Sequence, residues 1–297
     1  MRRRGAVVIG NFPRASAPSP FAERGIQFVE NATGDFDYGE ITTLPNLFGD
    51  AEFTLKLVVK PDNAYSFGTT DTPTEILQNW SNEDVTRYST AAWWWDGNFL
   101  LDGFNNTDFF AGSFGVQIMN GRVRWLFGDG SAADALTGDV WGVQDISTGT
   151  NVVDNQWHVI HLVRRWQSSP ANSADLELWV DGVLEDTQNT SARTNMASTY
   201  WDSWTGFESN GWVFGAEKQA AELSGNDVED YKGLLAEVAF YGGALSSTDI
   251  SNDQGSALTA HTDYLDHFLF DEGTGNPVSE NGITMTLFNA QGGGFWP

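Results

Sequence analysis

Cysteine is absent from this chain of 297 residues. Its absence excludes disulfides, thiol nucleophiles and thiolate-bound zinc, and it leaves the compartment open, because a large core needs no disulfide staples. Cations are scarce as well: Lys+Arg number 15 against 40 Asp+Glu, for a net charge of −25. A surface of that sign cannot neutralise a phosphate backbone, so nucleic acid is excluded as the main partner. No apolar run approaches the ~18–20 residues that a membrane helix needs, so no membrane span is expected. Several signatures of chemistry are missing too. There is no Gly-x-Ser-x-Gly elbow, no phosphate-binding loop and no internal repeat. Helical periodicity is confined to 246–252, where Ser246 or Ser247 would cap a first turn carrying Asp249.

What the chain does have is aromatic residues and glycine: Trp 13, Phe 20 and Gly 32, with 40% of residues hydrophobic. Sandwiches of 200–250 residues fold as one unit, so one domain with decorations is expected. Phe53, Leu55, Leu57 and Val59 alternate with Glu52, Thr54, Lys56 and Lys60. That period of two predicts a strand with one buried face. Phe114, Val116 and Ile118 repeat the pattern, and Asn120-Gly121 then leads into Arg122–Phe127. An Asn-Gly pair between alternating runs predicts a hairpin, because both turn positions want positive φ. Asp181-Gly182 predicts a second hairpin, and further strands are expected at 157–165, 211–215 and 234–241. Residues 186–210, rich in Thr, Ser and Asn, read as a long connection. The fold class is therefore all-β, a sandwich or jelly roll of antiparallel sheets.

Charge is unevenly spread. Arg2, Arg3, Arg4, Arg14 and Arg24 against Glu23 give residues 1–24 a charge of +4, which leaves −29 on the rest. With Pro13, Pro18 and Pro20, this segment reads as an extended N-terminal arm. Its apolar stretch at 6–9 is too short for the h-region of a signal peptide, so no signal peptide is expected. A solvated basic tail and a docking arm for an acidic assembly partner are both open.

Several segments, in order, resemble laminin-G-like, concanavalin A-like jelly-roll modules. They are Gly25–Glu30, Asp35–Tyr38, Phe53–Pro61, Trp94–Gly97, Leu101–Gly103, Phe114–Val116 and Asn120–Arg122, then Asp154–Val159, Leu176–Gly182, Tyr231–Tyr241 and Ala244–Ile250. The resemblance implies a jelly-roll domain over 25–255, between the arm at 1–24 and a C-terminal appendage at 256–297 that completes or extends the sandwich. Phe270–Gly275 is similar to a segment that usually precedes such a module; here it follows one. It would supply an edge strand either to its own sandwich or to a neighbouring subunit's, and homo-oligomers remain open. Lectins, adhesion modules and glycosidases share this fold, so the resemblance does not choose a function.

Glycosidases of this fold carry Glu-x-Asp-x-x-Glu on one strand, and no Glu here is followed by Asp at the second position. Asp175 and Glu177 share a strand face but read as solvent-facing carboxylates. His158 and His161 would point to opposite faces of one strand, so they do not share a metal. The resemblance implies calcium at loop acids, and Asp35, Asp37 and Glu237 are the candidate ligands, with a solvated acidic loop as the alternative. Trp94, Trp95, Asp96, Asp102 and Asp108 combine stacking faces with hydroxyl-binding groups, and Trp201 and Trp204 could form a second wall. Core or interface packing is the competing role for these tryptophans. The sequons at Asn31, Asn79, Asn105 and Asn189 read as chance. The expected function is non-catalytic carbohydrate or receptor binding, on a virion-surface structural or decoration protein docked by its arm. A divergent glycoside hydrolase and a purely structural decoration protein are the alternatives.

Overall fold

The computed structural model describes residues 25–28, 37–44, 52–62, 98–103, 114–119, 121–128, 143–147, 149–167, 173–190, 211–216 and 231–288. They form two antiparallel sheets packed face to face. In the first sheet, β1 (Ile26–Phe28) pairs with β12 (Gly233–Tyr241). From β12 the order runs through β3 (Phe53–Pro61), β8 (His158–Gln167) and β9 (Ser173–Val180) to β10 (Val183–Thr190). The second sheet begins with β14 (Thr286–Phe288), β2 (Tyr38–Ile41), β11 (Trp212–Phe214) and β4 (Asn98–Gly103). It ends with β5 (Phe114–Met119), β6 (Arg122–Gly128) and β7 (Val143–Ser147).

The alternating residues do what their period requires. Phe53, Leu55, Leu57 and Val59 enter one core with Ile160, Leu162, Val238 and Phe240 from their own sheet, and with Val116, Ile118, Trp125 and Trp212 from the other. Trp212 stacks on Phe114 with ring centroids 4.9 Å apart, and Phe114 leans on Trp125 at 5.6 Å. These two tryptophans have packing roles. Both hairpins form at their turn dipeptides: Asp181 (φ 50) and Gly182 (φ 75) take the left-handed pair, and Gly121 has φ 73. Gly211 serves a different need. Its φ is +145, and a Cβ there would lie 2.0 Å from the Ile41 carbonyl oxygen, so only glycine lets β11 close on β2.

Two expectations are corrected, and two strands go beyond them. Residues 186–190 are strand, since β10 pairs with β9 as far as Thr190↔Ala174. The side chains at 183–188 are all exposed or half-buried, so this strand carries no apolar alternation. Strands β7 and β14, at opposite ends of the second sheet, are too short for a periodic signal. The C-terminal edge strand is not at 270–275 but just before it, as β13 (Tyr264–Leu269). β13 pairs with β12 over Glu237–Tyr241, while β1 covers Gly233–Leu235 on the same side. The amide of Gly25 donates to the Phe270 carbonyl at 2.8 Å, so the two segments meet end to end as one split edge. The C-terminal segment therefore pairs within its own chain.

The one helix among the described residues, α1 (Ser247–Asn252), is capped by Ser246. Ser246 and Asp249 form a reciprocal capping box. No helix among the described residues is long and apolar enough to cross a membrane.

Phe268 comes from this C-terminal strand and is fully buried in the main core. Phe268→Ala should cost about 3–5 kcal/mol of unfolding free energy. A lower denaturant midpoint with unchanged slope is the expected result; a midpoint within error of the parent would show that β13 is not part of the folded unit.

Candidate functional site

Strand alternation sorts each sheet into a core face and an outward face. In the second sheet Ile41, Leu101, Val116, Trp125 and Trp212 point inward. Their neighbours Tyr38, Glu40, Asp102, Gln117, Arg124 and Val213 therefore share the outward face. Register places Glu40, Val213 and Asp102 in one row across β2, β11 and β4. Gln117 and Arg124 sit opposite one another on β5 and β6, and Arg124 Nη1 donates to Gln117 Oε1 at 3.1 Å. At the β14 end, Tyr38 and Phe288 stack with centroids 4.7 Å apart and planes 13° from parallel. Both rings and Glu40 are half-buried, whereas Asp102, Gln117 and Arg124 are buried. The face thus grades from an accessible aromatic pair to enclosed polar side chains.

Of the candidates named from sequence, Asp102 lies on this face at 1% exposure, and direct contact with solvent ligands is closed to it in this conformation. Trp94, Trp95, Asp96, Asp108, Trp201, Trp204 and Asp35 lie outside the described residues, as does the arm. Tyr38, Phe288, Gln117 and Arg124 join the candidates from the structure alone. Tyr38 and Phe288 are far apart in sequence, and only the pairing of β14 with β2 brings them together.

Asp37 and Glu237 do not meet. Asp37 is buried at the entry to β2 in the second sheet. Glu237 is fully buried on the outward face of the first sheet, beside Lys56, with Nζ···Oε1 3.2 Å. Oε1 of Glu237 is taken by Lys56, and Glu237 and Asp37 stand on different sheets, so the two do not share one calcium site. Among the described residues no three His, Asp or Glu side chains converge as a metal cage.

Asp175 and Glu177 also separate in role. Glu177 accepts from Arg165 Nε (2.7 Å) and Nη2 (3.2 Å) and from Trp179 Nε1 (3.0 Å), so its oxygens are committed. His158 and His161 point to opposite sides, as their spacing required. His158 is clamped by Asp181 at Nδ1 and Asp154 at Nε2, both 3.0 Å. Asp181 also accepts from the Val159 amide, which ties the β9–β10 turn to the start of β8. Burial alone would lower the His158 pKa, but hydrogen bonds to Asp181 and Asp154 and their charges outweigh it and raise the value above 6.5. His161 is fully buried, and burial, which outweighs its bond to Asp253, holds its pKa below 6.5.

No family model and no curated protein sequence matches this chain. Solved structures do. A Bacteroides ovatus protein described provisionally as carbohydrate binding superposes with a TM-score of 0.54 at 11% identity, over 90% of this chain and 58% of that one. This chain thus spans little more than half of that protein. A heptameric SAP-like pentraxin from Limulus polyphemus follows, with a TM-score of 0.49, 12% identity, and coverage of 89% and 94%. The LG1-3 region of the laminin alpha2 chain gives 0.41 at 14% identity, over 74% and 31%. The fold is the concanavalin A-like jelly roll, a two-sheet antiparallel sandwich.

The two histidines give opposite pH signatures. With its folded pKa raised, His158 contributes stability that is fully present below about pH 6.5 and is lost as pH rises through the raised value. With its folded pKa lowered, His161 contributes stability that is lost as pH falls below about 6.5. Unfolding titrations should show His158→Asn losing more relative to the parent at pH 6 than at pH 8. An equal loss at both would mean the clamp on His158 is not ionic.

Proposed function

We propose that this chain is a non-catalytic carbohydrate-binding jelly-roll protein. The observation that carries the reading is the outward face of the second sheet, where a half-exposed Tyr38–Phe288 stack adjoins the half-buried Glu40. Aromatic faces pack against the C–H faces of sugar rings, and carboxylates, amides and guanidinium groups bond to hydroxyls. The sequence adds a second source of such groups. Trp94, Trp95 and Asp96 run directly into β4, the strand that bears Asp102, and Trp201 and Trp204 precede β11, which lies between β4 and β2. Asp108 follows β4 in the chain. The description of the Bacteroides ovatus protein as carbohydrate binding fits this reading. Commitment of Glu177 to Arg165 and Trp179, and of Glu237 to Lys56, fits binding better than carboxylate-pair hydrolysis.

The finer parts of the proposal are a calcium ion at Asp35 and Asp37, and an arm at 1–24 that docks the protein to an acidic partner on a virion or comparable assembly. The charge contrast between arm and body supports the docking role.

The test is a glycan array on the full chain, in calcium and in chelator. Specific binding is expected, weakened about tenfold, or ~1.4 kcal/mol, by Tyr38→Ala or Trp94→Ala. Loss in chelator would support the calcium component. A blank array in both conditions would overturn carbohydrate binding and leave the structural decoration role.

A further inference from the structure

The outward face of the first sheet carries a group of side chains that the binding proposal does not use. Lys56 on β3, His161 beside it on β8 and Glu237 on β12 point away from the main core. The turn after α1 lies over them and supplies Asp253 and Gly255. Lys56, His161, Glu237, Tyr241 and Asp253 are all at 0% exposure.

The contacts are directional. Lys56 Nζ donates to Asp253 Oδ1 at 3.0 Å, Glu237 Oε1 at 3.2 Å and the Gly255 carbonyl at 2.6 Å. The other oxygen of Asp253, Oδ2, accepts from His161 Nε2 at 3.1 Å and Tyr241 Oη at 2.9 Å. Tyr241 Oη in turn accepts from the Leu258 amide at 2.9 Å, which orients it. Glu237 Oε2 is buried without a hydrogen-bond partner.

We infer that Lys56 and Asp253 are joined by a self-formed intramolecular amide, with Glu237 as the proton carrier. The amine lies 3.0 Å from an oxygen of the carboxyl group in a water-excluded site, the proximity that amide formation demands. Burial pushes the Glu237 pKa above its ordinary value, which suits this carboxylate to take up a proton. Nζ passes a proton to Glu237, and its lone pair then forms the C–N bond at Asp253 Cγ. Charge that develops on Oδ2 meets two donors already in place, His161 and Tyr241, in the manner of an oxyanion hole. The Cγ–Oδ1 bond breaks, and Oδ1 leaves as water with two protons that originate on Nζ, relayed by Glu237. The third Nζ proton stays on the amide, and no oxidant or second reactant is required. Two buried charges are replaced by one neutral group, and α1 with its turn is fastened covalently to the middle of the sheet.

The test is the intact mass and peptide map of the purified full-length chain. The folded protein should be lighter than its sequence by one water, about 18 Da, and digestion should yield a branched peptide joining the Lys56 and Asp253 segments. Glu237→Gln should restore the full mass in a protein that keeps its β-sheet circular dichroism. A full-mass wild-type protein with no branched peptide would overturn the proposal. A missing water that persists in Lys56→Arg would overturn it as well, since dehydration would then lie elsewhere. The wild-type peptide map decides the matter even where a variant fails to fold.

Discussion

A lysine side chain with no access to water sets the terms for half of this molecule. Lys56 stands on β3, two strands in from the split edge, and its nearest partners come from β12 and from the turn after α1. A buried charge left without partners costs about 3–5 kcal/mol. Strand β3 is therefore tolerable only when the segment after β12 has returned over the sheet to supply Asp253 and the Gly255 carbonyl. The same return lays down a second, smaller core, in which Val163, Trp179, Ala239 and Tyr241 of the sheet meet Leu245, Ile250 and Ala257. The first sheet is thus covered on both faces. On the outward face of the second sheet a half-exposed aromatic stack adjoins an acidic side chain, and there the binding reading rests.

The return also solves the problem of the sheet edge. An unpaired strand edge is a template for aggregation. Here β1 covers one end of β12 and β13 the other, so that early and late parts of the chain share one edge position. The chain then crosses to the second sheet. Met285 reaches the main core, and β14 pairs with β2 to bring Phe288 onto Tyr38. Folding economy and site construction are linked: the segment that seals one sheet completes the aromatic platform on the other.

The sequence made the central strands legible because burial on one face writes a period of two. Phe53–Val59, the Asp181-Gly182 turn and the Ser246–Asp249 cap were all readable for that reason, each being local. What was not readable is what covers the polar half of each pattern. Lys56 and Lys60 look alike in an alternating run, yet Lys56 is fully buried and Lys60 only partly. The difference is made by Asp253, 197 residues away in the chain. Glu237, in the closing strand, is a candidate calcium ligand by sequence for the same reason: the lysine that occupies its Oε1 is 181 residues away in the chain. Tyr38 and Phe288 carry no local signal, because neither lies in an aromatic run and their stacking depends on a pairing between distant segments.

The central claim is that Lys56 clamps the C-terminal segment to the first sheet. Hydrogen exchange of the full chain, read by mass spectrometry for wild type and Lys56→Met, tests it most directly. The amides of α1, β13 and the facing half of β12 should exchange together and much faster in the variant, while β4–β6 of the second sheet keep their protection. Unchanged protection of α1 and β13 in a folded Lys56→Met protein would contradict the claim, and the apolar contacts of the second core would then suffice to hold the segment down.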